Sequence, residues 1–456
     1  MATASKGGGS GPQAEREKNY GSRSAYRFLR WLLPLSFALQ VAAVGILHQD
    51  RVRRGDDNFE FGWEMGRIAR SIVQGQGFSN PYGGNTGPTA WEPPLYPYLM
   101  AGVFKLFGIY THTSAWVLLG INGLFATLTT IPIFRIAHRT SGEHVAIWSA
   151  YAWALNPYVW YWSIHWLWDT TLTPLILTCI FLLALELAQL EPTQMGMPHF
   201  SPQLREVGTT DVVPKWKLWG LFGALFGIGV LANPTMLTFL PFCGLWIWRQ
   251  RYRRGLRSIG GVVLSSVVFF AVLSPWLIRN HQVFGRFLLR DDFGFQFRLG
   301  NGPLAEGMLM PFLQPHHNPL EWQKFVHMGE LAYADSCKQQ AFAWLRENPG
   351  RFTVISLKRF FYYWNGVPRE TSSTSPVDFR TSAFLATSVL AIWGLLRALH
   401  QKRPAAWLFA GLMLLYPATY YFVYPHARYR HPIEPELTIL IVFLLSEATW
   451  RKQARA

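Results

Sequence analysis

The sequence predicts an all-α polytopic membrane protein, and three observations carry that expectation. Half of the 456 residues are hydrophobic and only 15% are charged. Apolar runs of about 20 residues, the length a helix needs to cross a bilayer core, recur along the chain. The basic residues cluster beside those runs: Arg249, Arg251, Arg253, Arg254 and Arg257; Arg397, Lys402 and Arg403; Arg451, Lys452 and Arg455. That placement makes the net charge of +16 a positive-inside pattern of short cytoplasmic connections rather than a nucleic-acid footprint. Cys179, Cys243 and Cys337 lie far apart, two of them inside apolar runs, and form neither a disulfide framework nor a metal-binding spacing. No stretch reads as a β-barrel.

The elements follow in order. Residues 1–25 are polar and read as a flexible cytoplasmic N-terminus. Residues 26–277 hold seven expected spans. The first runs from about Tyr26 to His48 and, with no small-residue cleavage site after it, reads as an uncleaved anchor. Residues 50–93 are then external. Pro94–Gly108 is too short to span and reads as re-entrant or interfacial. Spans follow at Trp116–Arg135, Val145–Trp162 and Leu172–Leu190, then a polar connection over Glu191–Lys217. Leu218–Ala232 and Met236–Trp248 form a tight pair around Asn233-Pro234, and Ile259–Leu277 goes out again. Residues 278–380 are a second, larger external loop or small domain, with helical stretches at Glu330–Glu347 and Pro349–Trp364. Residues 381–450 hold the last three spans, Ser382–Leu399, Trp407–Tyr424 and Leu437–Trp450, and 451–456 is a cytoplasmic tail. The expectation is ten spans with both termini cytoplasmic.

The first external loop is acidic, with Asp56, Asp57, Glu60, Glu64 and Glu92, and Asp50 just upstream. Phe61, Met65, Ile68, Ala69 and Ile72 recur at helical spacing, which predicts a helix along a surface between Phe59 and Val73. On such a helix Glu60 and Glu64, four apart, share a face. A carboxylate beside an apolar wall and Trp63 has a raised pKa and accepts a proton near neutral pH; the plain alternative is the solvated side of an interfacial helix. Asp169 falls at the outer junction of two spans, where an ionisable residue is a functional candidate or the cap of a helix starting at Thr170. The segment His426-Ala-Arg-Tyr-Arg-His-Pro crowds two arginines into a short external loop. Arginine suits phosphate through bidentate hydrogen bonding, against the plain reading of snorkelling to headgroups. In extended backbone Arg428 and Arg430 face opposite ways, so one of them points inward, with Arg428 preferred. Arg279, in Pro275-Trp-Leu-Ile-Arg-Asn, is either a third phosphate ligand or part of an interfacial belt. Walker, Gly-x-Gly-x-x-Gly and His-Glu-x-x-His patterns are absent.

Taken together, these features resemble the GT-C superfamily of integral-membrane glycosyltransferases, in particular bacterial proteins similar to protein mannosyltransferases and to the aminoarabinose transferase of lipid A. The resemblance runs along nearly the whole chain. One span leads to an acidic loop whose helix ends Arg67-Ile-Ala-Arg-Ser-Ile-Val-Gln-Gly-Gln-Gly-Phe. Glu92-Pro-Pro-Leu-Tyr-Pro-Tyr-Leu leads into Phe104-Lys-Leu-Phe-Gly, and Asp169 precedes Leu172-Thr-Pro-Leu-Ile-Leu. The Arg-Tyr-Arg-His-Pro loop closes the set. The family's first-loop acid is a catalytic base; its slot ahead of Ile-Ala-Arg falls on Phe61, with Glu60 beside it. The resemblance therefore implies Glu60 as first choice, Glu64 second and Asp57 third, with Asp169 as the second acid.

The family implies an inverting transfer of a sugar from polyprenyl phosphate to an acceptor hydroxyl, with arginine charge on the leaving phosphate. The expected partners are a lipid-linked donor, a lipid, glycan or protein acceptor, and membrane lipids, but no nucleic acid. No cofactor is expected; a divalent cation is compatible with the acids without being indicated. The expected location is a bacterial inner membrane with a periplasmic site. The alternative is a lipid or glycan transporter or flippase, for which internal repeats and charged residues deep in the spans are the signs to look for.

Overall fold

The computed structural model describes residues 27–50, 59–189, 215–367, 379–403 and 405–453. Among them the chain is α-helical, and its nearest approach to a strand is an isolated bridge between Ser79 and Pro88. The helices are α1 (Leu29–Ile46), α2 (Glu64–Val73), α3 (Leu95–Phe107), α4 (His112–Ser141), α5 (Glu143–Ala154), α6 (Pro157–His165), α7 (Leu172–Leu187) and α8 (Lys215–Ala232). They continue with α9 (Leu240–Tyr252), α10 (Ile259–Phe284), α11 (Phe293–Gly300), α12 (Pro319–Met328), α13 (Glu330–Glu347) and α14 (Pro349–Asn365). The last are α15 (Phe379–His400), α16 (Ala406–Leu415), α17 (Ala418–Phe422), α18 (Ala427–Arg430) and α19 (Glu434–Gln453).

Five of the described helices, α1, α4, α8, α10 and α15, are long and apolar enough to cross a membrane. Their exposure supports that reading. The most apolar stretch of α10 is only 22% buried within the protein, and those of α1 and α15 are 28% buried. Surfaces so apolar and so bare are satisfied by lipid rather than by water. The 30-residue α4 is the exception, 61% buried over its apolar window. It packs against α1, α3, α5, α6, α7 and α19 and forms the axis of the bundle. α8 packs along α10, and α15 along α19.

Several expected spans are interrupted, and prolines explain where. The stretch Val145–Trp162 is two helices, because Asn156 caps a new one through Tyr158 N–H with Pro157 at its first position. Asn233 likewise caps a short 3₁₀ turn, Pro234–Thr238, ahead of α9. Trp407–Tyr424 divides into α16 and α17 beside Pro417. Pro94–Gly108 forms α3, at 13 residues too short to span. In the second polar segment the helices at Glu330–Glu347 and Pro349–Asn365 match the sequence expectation closely.

One expectation is corrected. The helix predicted from Phe59 begins only at Glu64, preceded by a 3₁₀ turn over Phe59–Phe61. Glu60, Phe61, Gly62 and Trp63 all have positive φ, between 46° and 80°, which no helix accommodates. Phe61 is fully buried against Phe104 and Tyr110, ring centroids 5.3 Å away in each case. That burial offsets a left-handed backbone costing about 1 kcal/mol or more at each non-glycine position. Gly66 lets α2 fold back over the turn, since a Cβ there would lie 1.8 Å from the Glu60 carbonyl oxygen.

The expectation of ten spans with cytoplasmic termini makes a direct prediction. In spheroplasts or right-side-out vesicles, single cysteines replacing Asn85 and Leu320, both exposed, react with an impermeant maleimide. A cysteine at Arg253 reacts only after permeabilisation. Labelling of Arg253→Cys from outside overturns the orientation.

A candidate active site between the two polar segments

The late start of α2 decides what its first turn presents. Glu64 opens the helix and lines a cavity of about 940 Å³. Glu60, on the left-handed turn, does not line it. Its carboxylate is ion-paired with Arg67, one helical turn into α2, and the Arg67 guanidinium also reaches Pro81 O at 3.4 Å. Glu60 and Glu64 therefore do not share a helical face. Asp57 lies outside the described residues.

Asp169 lines the same cavity from the turn between α6 and α7 and is 7% exposed. α7 starts at Leu172 rather than Thr170, and Asp169 does not cap it through its side chain. Instead its Oδ2 accepts from Thr173 Oγ1 at 3.0 Å and from Asn233 Nδ2 at 3.3 Å. Trp166 and Trp168, on the same turn, add aromatic faces to the cavity, with Trp63 5.7 Å from Trp166.

Arg428 is the guanidinium these walls enclose. His426 caps the one-turn helix α18, its Nδ1 accepting from Arg428 N–H at 3.2 Å. The guanidinium lies over Trp168 at 4.7 Å, Trp166 at 5.3 Å and Tyr429 at 5.3 Å. Its Nε is buried without a hydrogen-bond partner. The backbone here is helical rather than extended, yet the two arginines still part. Arg430, 2% exposed, turns into the bundle. There it pairs with Glu434 at 2.6 Å and donates to Ser388 Oγ at 2.7 Å and Phe384 O at 3.1 Å. Arg279 is likewise engaged away from the cavity, donating to Thr89 O at 2.7 Å and Phe78 O at 2.8 Å and lying over Trp276.

Four groups that sequence reasoning did not place in the site also line the cavity: Glu92, Arg290, Asp292 and His316. Arg290 Nε is 2.7 Å from Asp292 and its Nη2 is 3.2 Å from Glu92, while Nε also donates to Trp91 O at 2.6 Å. It thus ties the second polar segment to the first. Glu330 makes a second tie, accepting from Thr89 Oγ1 at 2.5 Å and Ala90 N–H at 2.7 Å. Aromatic packing fills the seam: Tyr82 and Trp91 from the first segment meet Phe295 and Phe325 from the second. His316 stacks on Tyr82, ring centroids 6.1 Å apart. Glu92 was visible in its Glu-Pro-Pro motif; Arg290-Asp-Asp carried no signal beyond a basic residue beside two acids.

Burial dominates the electrostatics. It raises the Glu64 carboxyl above the usual carboxylate range against the pull of Arg67, Arg428 and Arg290. It raises Asp169 against Arg428, Thr173, Arg290 and Asn233. It raises Asp292 too, and carries Glu92 to about 8 despite Arg290. Burial holds His316 at about 4, so its imidazole is neutral at pH 7. The arrangement offers carboxyls raised by burial, one cation embraced by rings, and flat aromatic walls. No group of three or more candidate metal ligands occurs among the described residues.

No protein family and no curated protein matches the sequence. Solved structures do align with it. An oligosaccharyltransferase, AglB from Archaeoglobus fulgidus, in complex with an inhibitory peptide and a dolichol-phosphate, aligns at TM-score 0.46 and 13% identity over 92% of this chain. The chain spans 50% of the length of that protein. ArnT from Cupriavidus metallidurans, bound to undecaprenyl phosphate, aligns at TM-score 0.37 and 13% identity, over 93% of this chain and 78% of that one.

Glu92 yields a pH prediction. A carboxyl raised from 4.5 to about 8 on folding keeps the folded state more protonated than the unfolded state between those values, so stability falls as pH rises through that window. The other raised carboxyls act in the same direction. Melting in detergent, followed by tryptophan fluorescence from pH 5 to 9, is expected to show a falling midpoint in the wild type and a shallower fall in Glu92→Gln. An equal slope in both overturns the assignment.

Proposed function

We propose that this chain is an inverting, GT-C-type membrane glycosyltransferase that moves a sugar from a polyprenyl-phosphate donor to an acceptor hydroxyl. The observation that carries the reading is one cavity that brings Glu64 and Asp169, two of its four carboxylates, together with a guanidinium, Arg428, engaged by ring faces rather than by an acid. The cavity sits at the outer face of a bacterial inner membrane, where a lipid-borne phosphate lies level with the headgroups. The acceptor hydroxyl belongs to a lipid, a glycan or a protein.

The chemistry follows from the residues. Glu64 takes the acceptor's proton as the acceptor oxygen bonds to the anomeric carbon. The bond from that carbon to the phosphate oxygen breaks on the opposite face, its electron pair leaves with the lipid phosphate, and the configuration inverts. Arg428 stabilises the charge gathering on the phosphate, through N–H groups held in place before the reaction. Asp169 orients the acceptor hydroxyl. Trp63, Trp166 and Trp168 supply flat faces for the sugar ring. Glu60 holds Arg67 in the wall, while Arg430 and Arg279 hold the fold.

The test is radiolabelled transfer from polyprenyl-phosphate sugars in vesicles. Glu64→Gln is expected to lower turnover by about a hundredfold or more with donor binding retained, because an amide cannot take the proton. Glu60→Gln costs less. Arg428→Lys weakens both donor binding and rate, by about tenfold or more. Wild-type turnover in Glu64→Gln together with its loss in Glu60→Gln returns the base to Glu60.

A further inference from the structure

We infer that Asn233 is a positioning residue: its amide favours the anionic form of Asp169 and holds the carboxylate turned so that the other oxygen, Oδ1, serves the cavity. The inference rests on the proposed place of Asp169 at the reacting centre.

The orientation of the Asn233 amide is fixed by its own backbone turn. Asn233 precedes Pro234 and is extended, φ −152° and ψ 105°, as a residue before proline prefers. Its Oδ1 accepts from Thr235 N–H at 3.1 Å and caps the 3₁₀ turn. A flipped amide would set its NH₂ against that N–H, so Nδ2 faces Asp169, 3.3 Å from Oδ2. The turn is braced in addition by Tyr420, whose hydroxyl donates to Thr235 Oγ1 at 3.2 Å.

An amide NH₂ only donates, so the oxygen it faces must accept. Thr173 Oγ1 lies 3.0 Å from the same Oδ2 and 2.9 Å from the Asp169 carbonyl oxygen. A hydroxyl both donates and accepts, so Thr173 tolerates either form of the acid. Asn233 does not tolerate a proton on Oδ2, and its donation favours the anion. Both side-chain hydrogen bonds accepted by Asp169 among the described residues fall on Oδ2. A proton arriving at Asp169 is thereby directed to Oδ1. The charged and titratable groups that feel Asp169 are Arg428 and Arg290, which favour the anion, and the hydroxyls of Tyr96, Tyr416 and Tyr420. None of them supplies a hydrogen bond that would replace the amide's.

Two variants separate positioning from capping. Asn233→Asp keeps an oxygen for Thr235 N–H but has no N–H for Asp169; Asn233→Ala loses both. The Asp169 titration is read by infrared difference spectra across pH, its carboxyl band identified by its loss on adding Asp169→Asn. The rate of transfer from a polyprenyl-phosphate sugar is followed over the same pH range. In both variants the Asp169 midpoint is expected to rise by about one unit. The acid limb of the rate profile moves with it, and Asn233→Asp regains rate at high pH. Unchanged midpoints overturn the inference, whatever happens to melting temperature or rate, and leave Asn233 as a cap only. Absence of transfer by the wild type with any donor overturns the proposed function instead, and the infrared midpoint still decides the role of Asn233.

Discussion

Everything at the candidate site depends on how a buried guanidinium is kept beside buried acids without being consumed by them. Four carboxylates line the cavity, Glu64, Glu92, Asp169 and Asp292, with Arg290 and Arg428 among them. Arg290 is committed: Asp292 and Glu92 flank it at 2.7 and 3.2 Å. Arg428 is held by three ring faces, whose quadrupoles attract the cation while leaving its Nε–H without a partner. Its field still reaches Glu64, Glu92 and Asp169. Burial shifts the carboxyls toward their neutral forms, which lessens the mutual repulsion an all-ionised set would impose.

That balance holds only while the two polar segments stay together, and the ties between them are few and specific. Arg290 reaches back to Trp91 O and Glu92. Glu330, at the start of α13, takes the donors of Thr89 and Ala90. Arg279, at the end of α10, closes over Phe78 O and Thr89 O, which flank the bridge between Ser79 and Pro88. Backbone carbonyls in a segment of this length without sheet or helix need donors from elsewhere. Arginine side chains from the second segment and its flanking helix supply them. The packing of Tyr82 and Trp91 among Phe295 and Phe325 then excludes water from the seam.

Much of this architecture was legible in the sequence. Apolar run lengths located the long bundle helices, and the helical stretches expected at Glu330–Glu347 and Pro349–Trp364 are helices at Glu330–Glu347 and Pro349–Asn365. The break at Asn233-Pro234 was expected, whereas that at Pro157 follows from a capping asparagine that a reading by hydropathy alone passes over. The start of α2 was not legible, because the periodicity of Phe61, Met65 and Ile68 is compatible with helix throughout. What breaks it is tertiary: Phe61 is buried between Phe104 and Tyr110, and Gly62 lies so close to the next wall that a Cβ would fall 2.2 Å from Leu167 O. That one displacement separates Glu60 from Glu64, and with them the ion pair from the cavity.

The arginines show most plainly why residue type alone does not identify a phosphate ligand. Arg279, Arg428 and Arg430 look alike in sequence, each beside an apolar run and each rich in aromatic neighbours. A guanidinium carries five N–H donors, and in a buried setting they go first to whatever acceptors are unsatisfied nearby. Around Arg279 those are carbonyls of irregular backbone; around Arg430 they are Glu434, Ser388 and the carbonyl of Phe384. Both forks are therefore filled by the fold itself. Around Arg428 the nearest surfaces are Trp166, Trp168 and Tyr429, which bind the cation by its face; the Tyr429 hydroxyl takes one donor, and Nε has no acceptor from the protein. An arginine remains available to a ligand when its protein neighbours are mainly π-faces rather than oxygen atoms, and that distinction is made by tertiary contacts between Trp166, Trp168 and a loop more than 250 residues later.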